Sequence, residues 1–166
     1  MKKTIAVFII FTAAVLCFAD PVEGFWLSID ENTNQITAGW QIYQEGGRLY
    51  GKILSLANEP RGTIAFRCKE SYRGFHVAGR VNTMPVAGTP WIFGLTSSRE
   101  GVWTGGHVVN PEDGGMYGCR MTFHHADGRR FTADTLEMRG EIGLGIGRSQ
   151  FWRKTDEATA SSLWPN

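Results

Sequence analysis

Beyond its first eighteen residues the chain alternates apolar and polar positions with a period of two. At residues 24–30, Phe25, Leu27 and Ile29 fall on one side, and Trp26, Ser28 and Asp30 on the other. This is the pattern of a half-buried strand. After a turn cluster at Glu31-Asn32-Thr33-Asn34, the apolar side resumes with Ile36, Ala38, Trp40 and Ile42. Glu45-Gly46-Gly47-Arg48 predicts a tight hairpin, because its glycines accept the positive φ that such turns need. A third strand follows at 49–56. Trp91-Ile92-Phe93-Gly94-Leu95 is almost wholly apolar, as expected of a strand covered on both sides. Residues 102–109, 116–125 and 131–138 read as further strands, the sixth with Tyr117, Cys119, Met121 and Phe123 on one face. The stretch 139–153 reads as the closing strand, its glycines alternating with apolar residues as in a sharply bent strand.

Eight strands joined mostly by short turns, with no amphipathic helix, predict an all-β fold. A single antiparallel up-and-down β-barrel is favoured, since closure leaves no bare edge. In that barrel the segment beginning Gly24-Phe25-Trp26 pairs with the last strand. The pattern fails at 58–88, a glycine-, proline- and arginine-containing connection with one short candidate strand at 63–66. Such a length is either a lid over a binding site or a solvated insertion pinned by Cys68.

Met1-Lys2-Lys3, an apolar run from Ile5 to Phe18 and Ala19 before Asp20 predict a signal peptide cleaved after Ala19. Lipoprotein processing at Cys17 is the rival, weakened by the bulky Leu16 beside it. The expected organisation is a signal peptide at 1–19, a barrel domain at 20–155 and a flexible tail at 156–166. Export implies a periplasmic or secreted protein, and the apolar run is short for a membrane span. Seventeen Lys and Arg against sixteen Asp and Glu give a net charge of +1. Loss of Lys2 and Lys3 with the leader turns it to about −1, which does not suit tracking nucleic-acid phosphates. Oligomeric state is not legible.

Cys68 and Cys119 would then lie where disulfides persist. They form either a disulfide closing a long loop, with a chain-entropy benefit of about 4 kcal/mol, or a buried Cys119 and an exposed Cys68 thiol.

The motifs Gly24-Phe25-Trp26, Leu49-Tyr50-Gly51-Lys52-Ile53, Pro85-Val86-Ala87-Gly88, Trp103-Thr104-Gly105-Gly106, Asn110-Pro111-Glu112-Asp113-Gly114, Tyr117-Gly118-Cys119-Arg120-Met121 and Arg139-Gly140-Glu141-Ile142-Gly143 through Gly147-Arg148-Ser149-Gln150-Phe151-Trp152-Arg153 occur in order. Together they resemble the bacterial family called domain of unknown function 2147. The resemblance implies a small exported protein without an established activity. The chain is also similar to lipocalins, which open with Gly-x-Trp and lay an Arg of the last strand over that Trp. Gly24, Trp26, Trp152 and either Arg148 or Arg153 are the structural residues that this likeness implies.

Candidate chemistry is sparse. His107, Asp113 and one of His124 and His125 are the residues a metal could draw on, but adjacent strand residues face opposite sides. We expect no metal, no cofactor and no catalytic residue, because no nucleophile elbow, metal-ligand helix motif or phosphate loop is present. The aromatic surplus points instead to a pocket for a small apolar or amphipathic ligand. Its expected lining is Trp40, Trp91, Phe93, Trp103 and Tyr117, with Arg120 or Arg139 as polar anchors. The alternative is an envelope interaction or structural module with a solid core.

Overall fold

The structure, a computed structural model, describes residues 19–143 and 146–165. The expected signal peptide falls almost entirely outside them. Eight antiparallel strands close a barrel in simple sequence order: β1 (Gly24–Ile29), β2 (Ile36–Glu45), β3 (Arg48–Leu56), β4 (Ile92–Arg99), β5 (Val102–Val109), β6 (Met116–His124), β7 (Thr135–Gly143) and β8 (Ile146–Thr155). A four-residue helix, α1 (Glu157–Ala160), follows. The expected fold class holds.

The seam lies where the period-two pattern put it. Phe25, Trp26 and Leu27 of β1 pair with Thr155, Lys154 and Arg153 of β8. Turn chemistry sets the neighbouring registers. Gly46 and Gly47 have φ of 57° and 74°, and Glu45 pairs directly with Arg48. That is the two-residue hairpin the Gly-Gly pair predicts. Between β1 and β2, Asp30 Oδ1 accepts from the backbone N–H groups of Asn32 and Thr33.

Two boundaries depart from the reading of the sequence. The stretch 139–153 is not one strand. β7 runs on to Gly143, and β8 starts at Ile146. Every second residue here is glycine or apolar, so the pattern carries no mark of the reversal, which falls between Gly143, at φ 110°, and its register partner Ile146. The segment expected to start a strand at Phe131 is instead loop, with β7 beginning at Thr135.

The tail after β8 docks where fraying was expected. Ala160 is fully buried, its carbonyl accepts from Ser55 Oγ at 2.6 Å, and Leu163 N–H donates back to the same hydroxyl at 3.2 Å. Asp156 caps α1 by accepting from Thr159 N–H. Gly39 makes this possible, because a Cβ there would overlap the Ala160 backbone. Trp164 then lies under the Arg61 guanidinium, 5.0 Å from its ring centre.

The connection between β3 and β4 is an ordered strap. Phe75 and His76 reach the outer face of the barrel, where Phe75 meets Phe93 edge-on at 5.3 Å and His76 tilts over Tyr50 at 4.6 Å. Residues 63–66 make only an isolated bridge, Ile64 to Pro85. Tyr72 Oη donates to the Gly114 carbonyl at 2.7 Å, tying the strap to the β5–β6 turn. Cys68 is buried beneath that contact, and Cys119 faces the barrel interior. Both are free thiols. The disulfide is absent, and Cys68 is not the exposed thiol of the alternative reading. Among the described residues no helix is long and apolar enough to cross a membrane.

Candidate functional site

Inward positions on the strands change character from one end of the barrel to the other. On β7 they run Leu136, Met138, Gly140, Ile142, and on β8 Trp152, Gln150, Arg148, Ile146, with Leu136 opposite Trp152, Met138 opposite Gln150 and Gly140 opposite Arg148. Leu136 and Trp152 are fully buried. Ile142 and Ile146 are 72% and 63% exposed. One end of the barrel is therefore closed by packing and the other is open.

The closed end is built on Trp26. Its indole N–H donates to the Val22 carbonyl at 2.9 Å, its edge meets Phe123 at 6.1 Å, and Lys154 Nζ sits 5.6 Å from its ring centre. The cation over Trp26 is thus Lys154, the register partner of Trp26 across the seam. Arg153 is displaced by one residue and points the other way by strand alternation. Arg148 lies two turns of the pleat away, at the open end. Above Trp26, Trp40 and Trp152 stack with centroids 4.8 Å apart. Trp40 Nε1 donates to Ser28 Oγ at 3.2 Å, and Trp152 Nε1 donates to Gln150 Oε1 at 3.2 Å. The two indoles and their polar partners make a floor.

Over that floor lies a cavity of about 700 Å³. Its wall is apolar: Trp40, Ile53, Val86, Val108 and Met138. Above them come Tyr117, Gln150, Arg148, Glu59 and Asp113, and the opening is edged by Ile64, Phe66, Ile142 and Ile146. Tyr117 Oη donates to Asp113 Oδ2 at 3.1 Å, and this bond, which favours the neutral phenol, pushes the Tyr117 pKa up. The strap contributes directly, because Arg67 donates to the Glu112 carbonyl at 2.9 Å and so holds residues 63–67 over the mouth. It is a wall of the site, closer to the lid reading than to a solvated insertion.

Of the side chains expected to line a pocket, the cavity takes Trp40 and Tyr117. Trp103 is in the filled part of the interior, opposite Met121, and its indole N–H has no acceptor among the described residues. Trp91 and Phe93 lie on the outer side of β4 beneath the strap. Trp91 is fully buried and donates to the Val86 carbonyl at 2.7 Å, while Phe93 stacks on His107 at 5.8 Å. The unbroken apolar run 91–95 reflects this second covering, which a period-two reading cannot assign to inside or outside.

Arg120 and Arg139 are cross-strand neighbours on the outer wall, and neither anchors the cavity. Arg139 Nε donates to Glu141 at 3.0 Å. Two polar residues that do line the cavity, Arg148 and Gln150, share the parity of Trp152, a signal already present in the sequence.

The histidines do not converge. His107 is against Phe93, His124 Nε2 is 2.9 Å from Glu137, and His125 lies 3.8 Å from Asp134. No group of three metal-binding side chains stands together among the described residues.

The architecture is similar to a solved structure described as "Protein HP1028 from the human pathogen Helicobacter pylori belongs to the lipocalin family", with a TM-score of 0.65, 12% identity, and coverage of 86% of this chain and 88% of that one. At that identity the likeness is one of fold. No curated protein matches the chain. Residues 24–154 match the family described as "Uncharacterized protein conserved in bacteria (DUF2147)", and the chain belongs to that family.

Proposed function

We propose that the protein is an exported lipocalin-like carrier that holds a small apolar or amphipathic molecule inside its barrel. The observation that carries this is the open cavity of about 700 Å³ above the Trp40–Trp152 floor. Ligand sites of this kind span roughly 300–1,000 Å³ and combine apolar walls with a few placed polar groups. Here the wall is apolar and the polar groups are Ser28, Gln150, Tyr117 and Arg148. The leader read at 1–19 supports delivery to the periplasm or beyond. A solid-core interaction module is the weaker reading, because the interior is filled only at the closed end.

The test is native mass spectrometry of the protein purified without detergent, followed by solvent extraction and mass analysis. A bound small molecule released by denaturation is expected. The N-terminus of the secreted chain, read in the same experiment, is expected at Asp20. A protein that carries nothing and takes up no apolar probe would refute the carrier reading.

A further inference from the structure

The lining of the cavity changes character twice along its axis. The lowest level is mainly apolar, the stacked indoles of Trp40 and Trp152 with Met138. The middle level is a polar collar. There Arg148 of β8 shares the lining with Tyr117, whose hydroxyl is fixed by Asp113, and Gln150, opposite Met138 and bonded to Trp152, links this level to the floor. The top level is apolar again. Ile142, Ile146, Phe66 and Ile64 are 72%, 63%, 70% and 40% exposed, and they are four of the five large apolar side chains exposed among the described residues. All four edge the same opening. Water-facing apolar side chains are commonplace when scattered, but a cluster around one mouth marks a contact.

The collar has a gap and an uncommitted donor. Gly140 is the cross-strand partner of Arg148, and a methyl group at Gly140 would meet only Tyr117 Cβ, at 3.9 Å. Arg148 makes no hydrogen bond or ion pair among the described residues; the Asp30 carboxyl, held low chiefly by hydrogen bonds from Thr33, also feels its charge. A guanidinium presents its donors as a planar fork suited to carbonyl, carboxylate or phosphate oxygens.

We infer that the ligand is a two-armed amphiphile. One apolar arm fills the cavity, an acceptor-bearing linkage such as an amide or ester sits in the collar beside Arg148, and a second apolar arm leaves over the rim formed by Ile142, Ile146 and Phe66. This rests on the carrier reading and narrows it. A fatty acid or simple alcohol would satisfy the interior and collar but leave the rim in water. A hydrocarbon without a linkage would offer the Arg148 fork no acceptor.

The experiment compares N-hexyldodecanamide with dodecanamide, which shares the tail and the linkage but lacks the second arm. Both displace N-phenyl-1-naphthylamine fluorescence from the full mature protein. The two-armed amide is expected to bind roughly tenfold or more tightly, as burial of rim and arm predicts. Ile142→Ser with Ile146→Ser changes only exposed side chains, so the fold is retained, as near-ultraviolet circular dichroism will check. It is expected to narrow the ratio of the two amides' affinities to less than about twofold. Arg148→Met is expected to weaken both amides by roughly tenfold or more.

Equal affinity of the two amides overturns the inference and leaves the carrier reading standing. So does a difference that survives the rim substitutions, since bulk hydrophobicity then explains it, or indifference to Arg148→Met. Failure of every probe to bind, with nothing co-purifying, refutes both.

Discussion

Glu137 shows how a single side chain on the outer wall couples the fold to pH. Burial alone raises its carboxyl pKa. The hydrogen bonds from Ser149 Oγ at 2.6 Å and from His124 at 2.9 Å, with the positive charges of His124 and Arg130 nearby, outweigh burial and hold it below the ordinary 4.5. Folding therefore favours the ionised form. That contribution is complete above the unfolded-state pKa and is lost as pH falls through the folded one. Glu137→Gln is expected to lose stability at neutral pH and to converge with the parent as pH falls through the lowered folded-state pKa, in urea titrations across pH. A gap that stays constant with pH would contradict this. The thiols give a second test. Burial drives the Cys119 thiol up to about 12 and also raises Cys68. Neither should react with Ellman's reagent in the native protein at pH 8, and both should react in denaturant.

Among the elements, α1 and the strap show what pairing patterns miss. The strands were legible because one face is buried and one is not, and so were the Gly46-Gly47 turn and the β1–β8 seam. The docking of α1 was not legible, because it depends on a missing side chain at Gly39 and on Ser55, a buried hydroxyl that finds its partners more than a hundred residues away. Gly39→Ala is expected to expel the tail. Limited proteolysis should then cleave after residue 155 while the barrel core resists, at a cost of about 1–3 kcal/mol for the overpacked contact. Equal tail protection in parent and variant would refute the docking. The candidate site was half legible for a related reason. Trp40 and Tyr117 are inward residues of recognisable strands, whereas the glycine-rich stretch around Gly143 concealed a turn and with it the inward place of Arg148. Trp91 and Phe93 misled because the strap, the 35 residues between Leu56 and Ile92, buries an outer face.

At the scale of the whole molecule, the sealed core and the open cavity occupy opposite ends. Trp26, Leu136 and Trp152 are sealed together at one end, and the other is an apolar-edged opening. Truncating Trp26 or Trp152 to Ala is expected to cost about 3–5 kcal/mol. Ile142→Ser with Ile146→Ser should stay within about 0.5 kcal/mol per site. Urea unfolding monitored by tryptophan fluorescence measures both, and comparable losses at the two ends would contradict the division. The join between first and last strands is also short, with three matched residues. During synthesis β1 must wait for almost the entire polypeptide before its second neighbour exists. A ribosome that stalls before Phe151 therefore leaves two raw backbone edges looking for each other's copies in other chains, and truncated products of this gene are fated to clump.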